Sequence, residues 1–429
     1  MTPTGDRPER VLTRALWLMA PTTTTVVAAE FVVVGLLPLI ARDLRIPLAR
    51  AGGLTGWFAF SAAVAGPFVT LLTSRLSPRV ILTATLLLYA AGNALAGLTS
   101  DINVMLLARV VQGATLPAFI SVGASVVTRL APPAERGKGL ARANIGFVLG
   151  VLLALPAGVA LAQAGDWRLP FIVLALAALP LAGLVGLLFP TIDASKPTGI
   201  GGQLDLLRQP VFLRHLGLSV LLFAAMFSAY TYLGVWVERA LGLSAWGVAL
   251  TLFLFGAAGL LGNGIAGRYA DHAPLGATII AILVLLVSVN MAAQAGGAVL
   301  LAAAPLVLWS ISHTASVTLA QVRVTLAGQA APSFAMTLNI SAANLGIAIG
   351  TAGGGWVIDG HGIGAIGAAP IGFAILALPL VITIGKTPTG GPAGASLRGS
   401  GHGPPEPPGR FGGLPKDGEP GREDMERHH

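Results

Sequence analysis

Between Leu16 and Gly385 the apolar residues run in blocks of about 20 or more, the length a helix needs to cross the hydrocarbon of a bilayer, with only short polar segments between them. The pattern predicts twelve helices, at residues 16–40, 51–73, 79–98, 102–128, 140–163, 168–189, 213–236, 246–268, 274–294, 297–320, 334–358 and 363–385. The first block is too long for a signal peptide and leads straight into further spans, so it is expected to remain part of the bundle. The longest polar break, Pro190 to Leu213, mixes Asp193, Lys196, Pro197, Gly199, Asp205 and Arg208 and divides the apolar chain into near-equal parts. The fifth and eleventh spans share an Asn-x-Gly-x-x-x-Gly frame, Asn144 to Gly150 against Asn344 to Gly350, as a duplicated six-helix unit requires.

The predicted fold is therefore an all-α membrane protein with twelve transmembrane helices in two pseudo-symmetric six-helix bundles. The expected organisation is a cytosolic segment 1–15, a first half 16–189, a cytosolic linker 190–212, a second half 213–385 and a cytosolic tail 386–429. The tail is rich in Gly, Pro and charged residues and cannot bury enough apolar surface to offset its ordering entropy, so disorder is expected there.

Composition agrees with this pattern: 54% of residues are hydrophobic and 10% charged, with mean hydropathy +0.79, against about 25% charged in soluble domains. The net charge of +8 does not indicate a nucleic-acid partner, because the basic residues sit in short loops and form no continuous patch. An even number of spans puts both termini on one side. That side is expected to hold Arg7, Arg10, Arg14, Arg75, Arg79, Arg129, Arg136, Lys138, Arg142, Lys196, Arg208, Arg214, Arg268 and Arg323. The opposite loops hold Arg42, Arg45, Arg50, Arg168 and Arg239. By the positive-inside rule the first set faces the cytosol of a plasma-membrane protein. The chain has no cysteine, which excludes disulfides, thiolate metal sites and cysteine nucleophiles. Gly385-Lys386-Thr387 resembles the end of a phosphate loop, yet Leu380 stands where the first glycine is required, so ATP is not the expected energy source. His428-His429 is too small a ligand set for a metal. No cofactor, metal or enzyme activity is expected.

Glu30 lies near the middle of the first span, where a carboxylate is costly unless solvated, paired or protonated. Arg109 lies at a similar depth on the fourth: with a rise of 1.5 Å per residue the two are about 15 Å and about 10 Å from the same membrane face. Burial favours the neutral acid and a nearby guanidinium favours the carboxylate, so the pair can load and release a proton as its exposure changes. The competing readings are a static ion pair or an Arg109 that anchors its helix. Gln112, Tyr230, Tyr232, Trp236, Trp309, His313, Asn339 and Asn344 are candidates to line a cavity for an amphipathic solute, or else to make interhelical hydrogen bonds. Gly146, Gly150, Pro156 and Gly158 in the fifth span, with Gly346 and Gly350 in the eleventh, suit sliding or hinging surfaces as well as static close packing.

These residues resemble the major facilitator superfamily, and in particular its bacterial drug:proton antiporter branch, which includes sugar, purine-nucleoside and chloramphenicol exporters. The resemblance covers about Ala15 to Ile384. It rests on Glu30-Phe31 with Gly35-Leu36-Leu37-Pro38, Arg109-Val110-Val111-Gln112-Gly113, Pro156-Ala157-Gly158 after Gly150, Tyr230-Thr231-Tyr232-Leu233 and Asn344-Leu345-Gly346. A loop motif of a basic residue followed by an acid is preserved as Arg268 to Asp271 and loses its acid in the matching segment Arg75 to Arg79; these residues are the expected cytosolic gating elements. The resemblance implies an exporter of drug-like organic molecules that works as a monomer by alternating access, exchanging solute for protons through Glu30 and Arg109. Sugar or nucleoside export and uptake are the alternatives within transporters.

Overall fold

The computed structural model describes residues 8–130, 145–192, 205–270, 273–295 and 297–386. Asp271, the tail and most of the linker lie outside these. The described residues belong to one compact unit, Met1–Thr387. Its helices are α1 (Pro8–Asp43), α2 (Leu48–Thr73), α3 (Pro78–Leu98), α4 (Ile102–Leu130), α5 (Ile145–Ala164), α6 (Leu169–Leu188), α7 (Pro210–Tyr230), α8 (Leu233–Ala240), α9 (Ala245–Ala270), α10 (Pro274–Ala293), α11 (Val299–Ala327), α12 (Pro332–His361) and α13 (Ala368–Gly385), with a 3₁₀ turn at Ile363–Gly367 before the last. Twelve candidate spans result, α7 with α8 forming one and the 3₁₀ turn with α13 another. No strand occurs among the described residues. Helices satisfy their own backbone hydrogen bonds, which lipid cannot do.

Several boundaries differ from the sequence expectation. The first helix starts at Pro8 and not at residue 16, so Arg10 and Arg14 belong to it. The tenth span continues seven residues past 320 to Ala327, because nothing in Gln321 to Ala327 breaks a helix before Gly328. Arg323, expected in a loop, therefore lies inside α11 and is buried. The seventh span, expected to be continuous, is interrupted at Thr231–Tyr232. Neither Pro nor Gly causes this break. Tertiary contacts hold it: the Thr231 and Thr351 hydroxyls lie 3.0 Å apart, and Tyr232 donates its phenol to the Thr351 carbonyl at 2.9 Å.

Packing repeats between the halves. In the first, α1 lies on α5, α2 on α4, and α3 on α4 and α6; in the second, α7 lies on α12, α9 on α11, and α10 on α11 and α13. The halves meet where α2 packs on α12 and α5 on α9, a pair of contacts that a two-fold axis along the membrane normal exchanges. One apolar cluster runs through both halves. It joins Ile40, Leu48, Leu54 and Met105 to Tyr232, Trp236, Val237 and Ile358, toward the end where α1 meets α2. At the opposite end each described cluster stays within one half: Met19, Leu86, Phe119 and Phe189 in the first, and Ala266 with Leu319 or Phe212 with Val324 in the second.

Candidate functional site

The close approach of α1 and α5 is set by glycine. A Cβ at Gly150 would stand 2.7 Å from Val27 Cβ and 3.0 Å from the Thr24 carbonyl, and one at Gly146 would meet the Ala20 carbonyl. Gly158 seats Val32 in the same way. In the second half Gly346 and Gly350 lie against the backbone of Val220 and Ala224 on α7. These glycines thus serve contacts inside each half, while the surfaces between halves are those of α2 with α12 and α5 with α9. Pro156 lies in the interior of α5, on the helix that carries both kinds of contact.

Glu30 lies on α1, the helix that α5 packs against. Its residue is buried with 9% exposure, and among the described residues its carboxylate has no hydrogen-bond or ion-pair partner. The ion pairs there join Arg42 to Glu238, Arg168 to Asp43 and Asp166, and Arg208 to Asp205. Arg109, 2% exposed, does not form the side-chain ion pair that its depth suggested. Its Nη1 donates to the Ala29 carbonyl at 2.8 Å and to Gln112 Oε1 at 3.1 Å, its Nη2 to the Glu30 carbonyl at 2.9 Å, and its Nε to the Leu54 carbonyl at 3.2 Å. The guanidinium also covers the Phe58 ring at 4.4 Å, a cation–π contact strengthened by desolvation. Arg109 therefore clamps α1, α2 and α4 together at the peptide of Glu30 and leaves the carboxylate free. Glu30 still lies within electrostatic reach of Arg109, Tyr89 and Tyr230. Gln112 is committed to this clamp, bridging Arg109 and the Tyr89 carbonyl.

Tyr230 belongs to α7 and thus to the other half. Its ring lies 4.6 Å from that of His313 on α11 and 5.8 Å from Phe255 on α9, and Trp309 stands edge-on to Phe255 at 5.6 Å. This cluster brings Tyr230, Trp309 and His313 of the predicted lining residues together with Phe255. Tyr232 and Trp236 lie elsewhere, fully buried near the end where the halves seal. The Tyr232 phenol is lodged between Gly52 of α2 and Gly355 of α12, where a Cβ at either position would strike it. Asn339 and Asn344 are buried on α12; Asn344 bonds the Ile340 carbonyl of its own helix at 3.0 Å.

The predicted gating residues are dispersed. Arg79 caps the end of α6 through the Phe189 carbonyl, 2.8 Å from Nε, while Arg75 and Arg268 are exposed; Asp271 lies outside the described residues. The reading of the sequence missed Arg323, whose Nη1 donates to the His215 carbonyl at 3.0 Å and whose Nη2 reaches Ser219 at 3.3 Å. It also missed Phe58, Phe227 and Phe255. The uninterrupted helical pattern through Arg323 was a usable signal; apolar rings among many apolar residues offered none.

A family model described as Major Facilitator Superfamily matches residues 19–331. The inner membrane transport protein YdhP of Escherichia coli K12 is 30% identical over 360 residues, covering 81% of this chain and 90% of that protein. The MFS-type transporter YtbD of Bacillus subtilis is 28% identical over 378 residues, covering 86% and 94%. A solved bacterial homologue of the human lysosomal transporter Spinster, in an inward-facing and occupied conformation, superposes with a TM-score of 0.74 at 16% identity, covering 89% of this chain and 98% of its own. That likeness concerns the fold alone. With twelve apolar helices, a matching family model over most of the chain and relatives aligned over nearly their full lengths, this chain belongs to the major facilitator superfamily and is a multi-pass transporter of small solutes, not an enzyme.

Proposed function

We propose that the chain is a proton-coupled exporter of small organic molecules in the bacterial inner membrane, working as a monomer with Glu30 as the proton site. The observation that carries this reading is the free carboxylate of Glu30, buried at mid-span beside the Arg109 clamp and within reach of Tyr230 of the opposite half. An acid in that position is costly as a packing element and useful as a titrating one. Because Glu30 is on one half and Tyr230 on the other, relative motion of the halves changes the surroundings of the carboxylate, which is how alternating access exchanges a proton for solute.

The basic-residue bias supports cytosolic termini, a cytosolic linker and a cytosolic tail. In that orientation the shared apolar cluster lies at the external end, and the apolar clusters at the cytosolic end each stay within one half. An external proton reaches Glu30 in the outward state; solute entering from the cytosol in the inward state returns the proton. The solute class, drug-like amphipathic molecules, is carried over from the family resemblance.

The test is solute-driven proton movement in proteoliposomes holding Glu30→Gln, Glu30→Asp or the parent protein. Glutamine resembles the protonated acid, so Glu30→Gln is expected to abolish coupled proton movement while the protein still inserts and folds, and Glu30→Asp is expected to retain part of it. Exchange at the parent ratio by Glu30→Gln would remove Glu30 as the coupling site.

A further inference from the structure

Among the described residues, buried polar groups left without a partner are concentrated in the second half. Trp309 Nε1, His313 Nδ1 and Ser316 Oγ are all sealed without a hydrogen-bond partner among the described residues, and they occupy consecutive turns of α11. Leaving such groups unpaired is costly, so a core built only for packing would be better served by Phe, Leu or Ala. Two of the three stand in the ring cluster. His313 is in contact with Phe227 at 5.3 Å, Tyr230 at 4.6 Å and Phe255 at 6.4 Å, and Trp309 meets Phe255 at 5.6 Å. Trp309 supplies a donor and His313 a ring nitrogen, four residues apart on one helix face. Tyr230, Phe255 and His313 keep 6–8% exposure, so the cluster borders accessible space.

We propose that the cluster of Phe227, Tyr230, Phe255, Trp309 and His313 is the solute-recognition site, and that it takes planar aromatic solutes carrying both a hydrogen-bond donor and an acceptor. The ring faces supply stacking, and the unmet nitrogens of His313 and Trp309 supply the polar contacts that fix orientation. The first half then holds the proton on Glu30 and the second half holds the solute, with Tyr230 of the ring cluster within electrostatic reach of Glu30. This assignment rests on the transport reading above and specifies its solute.

Equilibrium binding to the full-length protein in nanodiscs tests it without requiring proton coupling. The probe is acridone, a neutral planar fluorophore with one N–H and one C=O; camphor, a non-planar neutral ketone, is the comparator. Acridone is expected to bind saturably and camphor not to displace it. Phe255→Leu is expected to weaken acridone about three- to tenfold through lost ring contact. His313→Phe keeps a ring and removes the nitrogens, and is expected to weaken it by about three- to tenfold, the worth of one hydrogen bond. Arg208→Ala, at an exposed residue outside the cluster, is expected to bind acridone within about twofold of the parent, and because binding is read without a proton gradient, failed proton coupling and failed recognition give separate results. Should either cluster variant not elute as folded protein, Tyr230→Leu and Trp309→Phe take its place, with Tyr230→Leu expected to weaken acridone through lost ring contact and Trp309→Phe by one hydrogen bond. Absence of saturable acridone binding, equal displacement by camphor, or unchanged affinity in folded cluster variants would each overturn the proposal.

Discussion

Replacing Arg109 by Lys separates two roles for this residue, because it keeps the charge and removes the fork. Four donor contacts come from three nitrogens that face carbonyls on α1 and α2 and the Gln112 amide on α4. A single ammonium cannot occupy the positions of Nε, Nη1 and Nη2 together, so at least two contacts are lost. At roughly 1.5–3 kcal/mol for a hydrogen bond to a charged group, the gross loss is about 3–6 kcal/mol. The carbonyls of Ala29, Glu30 and Leu54 lie inside helices and keep their partners there, so they are not orphaned, and the net expectation is about 2–4 kcal/mol. If Arg109 is a clamp, Arg109→Lys and Arg109→Gln should both lower the unfolding temperature in detergent and reduce flux in parallel at every pH. If Arg109 acts only by tuning the titration of Glu30, Arg109→Lys should behave as the parent and Arg109→Gln should shift the pH profile of flux. A stable, fully active Arg109→Lys protein would refute the clamp.

Gly150→Ala places a methyl 2.7 Å from Val27 Cβ, inside ordinary carbon contact of about 3.5–4.0 Å; it should destabilise by about 1–3 kcal/mol, read as a lower unfolding temperature. Because the strain lies within one half, the proton-to-solute ratio should not change, and a changed ratio would restore the hinge reading of this glycine. Gly52→Val occupies the seat of the Tyr232 phenol, so a cysteine placed at Thr351 should become more reactive to an impermeant external thiol reagent; unchanged reactivity would mean that the phenol does not hold this end shut. Cysteines at Ser195 and in the tail should react from the cytosolic side only, and external labelling of either would overturn the orientation. Arg42→Ala should alter stability by no more than about 1 kcal/mol, since Arg42 is 61% exposed in its pairing with Glu238, and a larger loss would make that pair part of the seal.

The sequence by itself determined the number of spans and the isolation of Glu30 among apolar residues of the first, because lipid admits long apolar helices and makes any mid-span charge conspicuous. It also determined the Asn-x-Gly-x-x-x-Gly repeat, whose glycines turned out to be the contact points of α1 with α5 and of α7 with α12. Where Arg109 points was settled only by tertiary structure. A guanidinium at the depth of a carboxylate can pair with the acid or with the backbone beside it, and the choice depends on how closely α4 lies against its neighbours, where Gly113 sits on the Phe58 backbone of α2. The break at Thr231–Tyr232 was likewise invisible, since it follows from Thr351 on a helix 120 residues away. The ring cluster around His313 has the same origin. Helical periodicity places Tyr230, Phe255 and His313 on their own helices, but which faces of α7, α9 and α11 turn toward one another is decided by close packing among helices, for which apolar residues in lipid carry no distinguishing mark.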